Sequence, residues 1–325
     1  MDELSFPDVS ILAAPLYVLL IAAEVAFLRG KGRGEEVTKD LWTNLAMGTG
    51  NAVSSTFLYG GVAALMLFAW EYRVFELPIT WWSFLIAMVA KDFVYYWVHR
   101  LQHRIRWGWA NHVIHHSSQG YNLSTALRQP WFGMLTGTYV LSIPVIMLGV
   151  HPALFALAGA LNLFYQFFIH TQSVRRLPGW VEFVFNTPSH HRVHHATNPR
   201  YLDTNYAGIL ILWDRLFGTF VAEDDSEPCH FGIVSNLPTQ NPFYVASHEY
   251  IAIARDVTRP GLKPLERLRY VFAPPGYSHD GSRLTTAEIK RRAGLRLSGG
   301  QGSLMSAAHS SGALPCKPSS TSSIP

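Results

Sequence analysis

The chain has 325 residues, 49% of them hydrophobic and only 15% charged, with a formal net charge of +4. Soluble domains average about 25% charged residues, so the composition points to a membrane, and so small and scattered a surplus argues against nucleic acid as a partner. The two cysteines, Cys229 and Cys316, form no CxxC pair, which leaves a disulfide framework, a thiolate zinc site and a ferredoxin-type cluster unsupported.

In chain order, the N-terminus is acidic (Asp2, Glu3, Asp8), where a cleavable signal peptide would carry basic residues. Residues 10–28 are apolar apart from Glu24, long enough to cross roughly 30 Å of hydrocarbon. A second span is predicted within 41–70, its first half softened by Asn44, Gly48, Gly50 and Asn51. A third covers 79–98, with Trp81 and Trp82 at one end, where aromatic belts sit. Residues 132–150 and 152–169 read as two further spans, a helical hairpin about a Gly149–Pro152 turn. The pattern therefore predicts an all-α integral membrane bundle of about four or five transmembrane helices, with a cytoplasmic helical cap carrying a histidine-rich dimetal site. Four segments are expected: 1–40, an N-terminal span and basic loop; 41–225, the catalytic membrane domain; 226–297, a cytoplasmic extension; and 298–325, a disordered Ser/Gly/Pro/Thr tail. Within them, 213–220 reads as a short element capping the site. Residues 285–297 read as a basic surface helix, opened by a Thr285–Glu288 capping box.

Charge orients the bundle. If His99 and His170 share one side, that side also holds Arg29, Lys31, Arg33, Lys39, Arg100, Arg104, Arg106, Arg128, Arg175 and Arg176; the other holds the acidic N-terminus, Arg73 and His151. The positive-inside rule then puts the histidines in the cytoplasm. The chain's size and short tail suggest a bacterial inner membrane.

Eleven of the 15 histidines lie between residues 99 and 195, and ten of them, all but His151, fall in two clusters or at His170 between them. On a helix, residues three and four apart share a face. His99 and His103 are so spaced, as are His112, His115 and His116, and again His191, His194 and His195. Each array aims two or three imidazoles at one point, which suits metal coordination. A mononuclear site uses about three or four protein ligands, so this set suits two metals. His170, where the last span leaves the bilayer, is a further candidate ligand. His190 turns off the face of its array and is expected as a ligand or as an outer partner. Asp92, seven residues before His99, is expected to accept an N–H from a ligand histidine, with Asn122, Asp203 and Asn205 as further outer partners. His151, His230, His248, His279 and His309 read as interfacial polar residues.

No nucleophile motif accompanies the histidines, so a dinuclear iron site for O2 chemistry fits better than hydrolysis. Such a site would hydroxylate or desaturate an unactivated C–H bond of a substrate whose apolar part stays in lipid. The spacings His99-x3-His103, His112-x2-His115-His116 and His191-x2-His194-His195, after Asp92 and several spans, resemble the fatty acid hydroxylase superfamily, also called the sterol desaturase family, over roughly residues 40–225. Residues 121–129, 186–195 and 205–208, with Trp213-Asp214, are most similar to its alkylglycerol monooxygenase-like branch. The resemblance implies a non-haem di-iron centre, O2 as oxidant, a lipid or sterol substrate, and ligands His99, His103, His112, His115, His116, His191, His194 and His195, completed by His170 and His190. In animal members of the branch an acidic residue follows the second histidine. Here it is Arg104, which weighs against tetrahydrobiopterin as the reductant. No flavin, dinucleotide or haem motif is present, so electrons are expected from a separate donor. A desaturase with the same site is the nearest alternative. A histidine-rich metal transporter or sensor is the alternative from another class, and it predicts ionisable residues along several spans, where only Glu24, Lys91 and Asp92 occur.

Overall fold

The computed structural model describes residues 9–295, so the tail from 298 onward, with His309 and Cys316, lies outside the described residues. Thirteen α-helices occur among them: α1 (Val9–Gly30), α2 (Gly34–Thr38), α3 (Leu41–Glu71), α4 (Trp81–Arg104), α5 (Arg106–His116), α6 (Ile143–Met147), α7 (Pro152–Ile169), α8 (Gly179–Val184), α9 (Pro188–His195), α10 (Leu212–Leu216), α11 (Pro242–Val257), α12 (Pro264–Phe272) and α13 (Thr286–Arg292). Short 3-10 turns cover Leu123–Leu127, Gly133–Thr136 and Thr138–Ser142. No strand occurs among the described residues; two isolated bridges, Phe185–Leu210 and Ala196–Phe231, pin loops together.

The chain makes five passes between a histidine end and a far end. α1 arrives at the histidine end, where the Glu24 carboxylate accepts the Leu123 N–H at 2.7 Å. α3 leaves from it, with Asn44 Nδ2 donating to Ser124 Oγ, and reaches the far end, where the Trp70 and His151 rings meet. α4 returns, started by a Thr80–Ser83 capping box and ending in His99 and His103. Residues 132–150 run back to the far end, where Val74 N–H and Leu77 N–H donate to the Met147 and Gly149 carbonyls. α7 closes the circuit. It begins with Pro152 at N1 and an Ala153 N–H bond to the His151 ring, and ends at His170. Met66, Ala87, Val94, Ile146, Leu154 and Phe155 pack where α3, α4, α6 and α7 meet.

Three helices, Leu12–Gly30 within α1, α3 and α7, are long and apolar enough to cross a membrane by length and composition. Leu12, Phe57, Leu85 and Leu163 stand exposed on the bundle, an apolar surface that suits a bilayer. The protein is an integral membrane protein. α4, predicted as a span, is also long enough, but carries Lys91 and the buried Asp92. The span predicted at 132–150 is corrected: it is a chain of 3-10 turns and the short α6, not one helix. Gly137 adopts φ +70° and Pro144 stands at the start of α6, so a continuous ladder cannot run through.

Candidate metal centre

Four elements deliver imidazoles to one place: the end of α4 (His99, His103), α5 (His112, His115, His116), the C-terminus of α7 (His170) and α9 (His191, His194, His195). They form two adjoining groups. One holds His99, His103, His112, His116 and His194; the other His115, His170, His191 and His195. In each, the ligand nitrogens lie within 4.8 Å of one another. All nine side chains are buried, and the groups touch, the His116 and His195 rings stacking at 4.4 Å.

Proton positions follow from the outward partners. His99 Nδ1 lies 2.7 Å from the Tyr206 carbonyl, His170 Nδ1 2.6 Å from the Gln166 carbonyl, and His194 Nδ1 2.9 Å from the Thr204 carbonyl. Carbonyls only accept, so these Nδ1 atoms carry the proton and each Nε2 presents a lone pair inward. Asp203 Oδ1 takes the same part for His103 Nδ1 at 3.3 Å. Inside, His112 Nε2 lies 2.8 Å from His99 Nε2, and His115 and His191 Nε2 lie 3.1 and 2.9 Å from His170 Nε2. His103 Nε2 and His194 Nε2 are buried with no partner among the described residues. Converging buried lone pairs are costly unless something electron-poor lies between them. The donor set therefore fits metal ions, and an all-imidazole set suits iron, zinc, copper or nickel.

Protonation agrees. Burial, then the neighbouring imidazoles, holds His112, His115, His116, His191 and His195 well below the ordinary histidine range. Burial does the same to His194, and brings His170 down to about 4. All are neutral at pH 7, the form that binds metal. For Asp203, burial pushes the carboxyl up, but the His103 hydrogen bond and the Arg104 charge outweigh it, and the net shift is downward.

Other predicted residues sit differently. His190 joins neither group. As the third residue of α9 it closes the capping box, receiving the Thr187 N–H, and its Nε2 lies 2.9 Å from Glu182. Asp92 does not touch an imidazole, contrary to expectation. It accepts the Ile209 and Leu210 N–H groups, Trp213 Nε1 and Asn162 Nδ2, so it shapes the 205–214 loop instead. Gly208 is needed there, because an added Cβ would stand 2.8 Å from Asp92 and Asn162 atoms. Asn122 also stays clear of the imidazoles: it caps the Leu123–Leu127 turn and donates to the Val37 carbonyl. Asn205 Nδ2 donates to the carbonyls of His190 and Val221, bracing α9 from behind.

The residue that sequence reasoning missed is Asp214, buried in α10. It accepts the Tyr206 and Ala207 N–H groups at 2.8 Å and the Thr219 hydroxyl at 2.6 Å. It thereby holds the loop whose Thr204 and Tyr206 carbonyls orient two ligands. Its sequence signals were its place in the 213–220 element and in the Trp213-Asp214 pair of the resemblance, neither of which gave it a role at the site. Arg128, fully buried, was counted only as a basic residue. It donates to the Ile114 carbonyl and to Asn44, fixing the end of α5 against α3.

Comparison with known proteins agrees with this geometry. Residues 84–219 match the family model described as Fatty acid hydroxylase. The chain is 36% identical over 290 residues to the alkylglycerol monooxygenase of Homo sapiens, covering 87% of this chain and 63% of that protein. It is 40% identical over 219 residues to the alkylglycerol monooxygenase of Danio rerio, covering 66% of this chain and 48% of that protein. An ornithine lipid hydroxylase of Rhizobium tropici is 30% identical over 162 residues, covering 49% of each chain. The chain thus spans less than two thirds of the length of these relatives. No solved structure matches it. The matched residues contain all nine converging histidines, so the match to the fatty acid hydroxylase family model falls on the part of this chain that builds the site.

Proposed function

We propose that the protein is a membrane-bound, O2-dependent hydroxylase of a lipid C–H bond, with two irons held by its nine converging histidines. His99, His103, His112, His116 and His194 hold one ion; His115, His170, His191 and His195 hold the other. Iron bound there supplies reductive activation of O2 and removal of hydrogen from an unactivated carbon. One substrate C–H becomes C–OH, the second oxygen atom leaves as water, and two electrons and two protons enter from a separate donor. The relatives' printed names, alkylglycerol monooxygenase and ornithine lipid hydroxylase, favour a lipid over a sterol.

The protein's part is binding, orientation and dryness. The histidine end lies where α4 and α7 finish, so a lipid keeps its chain against the apolar bundle and brings one carbon to the imidazoles. The Thr204, Tyr206 and Gln166 carbonyls and Asp203 hold four rings with Nε2 inward. Burial of all nine rings keeps water from the reacting carbon. Basic residues gathered at this end support the cytoplasmic face as its side of the membrane. Arg104, which donates to the Tyr206 hydroxyl, takes the place where the branch resemblance leads one to expect an acidic residue, and a reductant other than tetrahydrobiopterin is favoured.

The observation that carries this reading is the inward lone pairs of two touching imidazole groups. The test is anaerobic purification with iron, metal counting, and lipid profiling under labelled O2 with and without the gene. About two irons per chain and a lipid gaining one labelled oxygen atom are expected. A lipid lighter by two hydrogens makes the protein a desaturase. Failure to bind iron, with no lipid changed, overturns the reading.

A further inference from the structure

We propose that α11 and α12, which lie beyond the fatty acid hydroxylase match, form a hairpin seated in the headgroup layer of the bilayer leaflet at the histidine end. Its apolar faces enter lipid, and its basic rim takes anionic phospholipid. The hairpin holds none of the nine converging histidines, so its seating is independent of the dimetal reading.

The two helices are amphipathic the wrong way round for water. In α12, Leu265, Leu268 and Phe272 are spaced three and four apart and so share a face. They stand 59, 56 and 58% exposed, while Tyr270 is buried. In α11, Phe243, Tyr244 and Ile251 are exposed, Phe243 at 73%. The inward side carries the ion pairs. Arg106, at the start of α5, donates to Glu249 at 2.6 Å, to Asp256 at 2.7 Å and to the Tyr270 carbonyl at 3.3 Å. Its backbone N–H donates to the Ala273 carbonyl at 3.1 Å. Arg283 adds two bonds to Asp256, at 2.6 and 2.9 Å. Ion pairs turned inward and large apolar side chains turned outward are the arrangement of an element that lies on lipid.

The hairpin continues the lipid-facing surface of the bundle. Thr43 Oγ1 donates to the Gln240 carbonyl at 2.7 Å, which sets the start of α11 against the first turn of the span α3, where Trp42 stands exposed. Phe243 meets Trp131 edge-on at 5.4 Å, and Trp131 Nε1 donates to the Met47 carbonyl of α3 at 3.1 Å. Further along, Tyr250 meets Phe132 at 6.3 Å, where the chain turns toward the far end and Phe132 and Leu135 stand exposed. Tryptophan and tyrosine gather at this depth of a membrane. Charge selects the lipid. Between residues 242 and 272 the fully exposed charged side chains are Arg255, Lys263 and Arg269, all basic. The acidic ones are engaged: Glu249 and Asp256 face Arg106, and Glu266 accepts the Lys263 N–H at 2.8 Å. Such a rim is drawn to anionic headgroups. A second copy packed here by two-fold symmetry would instead set like charges against each other.

The test uses the full chain in lipid nanodiscs of phosphatidylcholine and phosphatidylglycerol, with Cys229→Ser and Cys316→Ser as background. Phe243→Cys, Ile251→Cys, Leu265→Cys, Leu268→Cys and Phe272→Cys each carry one nitroxide label. Phe57→Cys in the span α3 is the lipid reference and Ala222→Cys, in an exposed loop, the aqueous one. Collision with O2, which concentrates in lipid, is read against collision with a water-soluble nickel chelate. All five hairpin sites should favour O2, as Phe57→Cys does. In discs of phosphatidylcholine alone they should shift toward the nickel chelate, while Phe57→Cys does not move. Each substituted residue is exposed, so any one variant that folds carries the test. Preference for the nickel chelate, as at Ala222→Cys, overturns the proposal. Collision with neither reagent shows a face covered by protein, a second copy or the chain beyond residue 295, and overturns it as well. Equal values in the two kinds of disc overturn the choice of anionic lipid.

Discussion

The two imidazole groups are built from the same kinds of helix yet are braced differently. Three members of the five-histidine group send Nδ1 to one short stretch: His99 to Tyr206, His194 to Thr204 and His103 to Asp203. In the four-histidine group only His170 has such a partner, the Gln166 carbonyl of its own helix. His115 Nδ1 and His191 Nδ1 are buried without one among the described residues. One group is thus oriented from outside by a strained loop and a carboxylate, and the other by helix packing and the single Gln166 carbonyl. Bracing fixes the direction of a lone pair before the metal arrives; packing fixes only the position of a ring.

The sharpest way to break this comparison is to remove a ligand from the unbraced group. His115→Ala should abolish turnover and cost the ion bound there, with membrane insertion intact; metal counting and lipid profiling check both. Unchanged activity would remove His115 from the ligand set. Next in size, Asp203→Asn should lower metal affinity about tenfold to a hundredfold, in the five-histidine group only, as read by chelator competition. Equal weakening of both groups would erase the distinction between braced and unbraced.

Acid should act more gradually, and on both groups. Folded imidazoles here have values held below the unfolded value of about 6.5. Above that pH both states are neutral and histidine contributes no slope. Below it the unfolded chain takes up protons that the folded chain refuses, so stability falls as pH falls. For His170, whose folded value is about 4, the loss runs from about 6.5 down to that value. Thermal unfolding of the metal-free chain should therefore be flat above this window and decline within it; bound metal should widen the plateau by competing with protons. The smallest effect belongs to His190→Gln. It should leave both ions bound and cost about 1 kcal/mol from the lost Glu182 contact, measured by unfolding midpoint. Loss of an ion in this variant would return His190 to the ligand set.

Much of this was legible in residue order. Arrays at three- and four-residue spacing can only share a helix face, so His112, His115 and His116, and again His191, His194 and His195, announced their convergence. The fatty acid hydroxylase resemblance rested on the same spacings. The capping box at Thr285 was equally visible, because it depends on neighbours in sequence. The pass at 132–150 was misread for a local reason: its hydropathy suits a span, but Gly137 and Pro144 break the ladder. His190 shows how one offset matters, since the third helical residue is the one that can turn back to the cap.

By itself, the sequence determined which rings could converge, because helical periodicity carries that information over a few residues. Tertiary structure alone decided which atoms orient them. The acceptors are mostly backbone carbonyls, which every residue type possesses, and they are aimed by a loop that Asp214 ties at its own end and Asp92 holds from a distant helix. A carbonyl leaves no mark in the sequence, and a carboxylate more than a hundred residues from the loop it shapes leaves none that spacing can reveal.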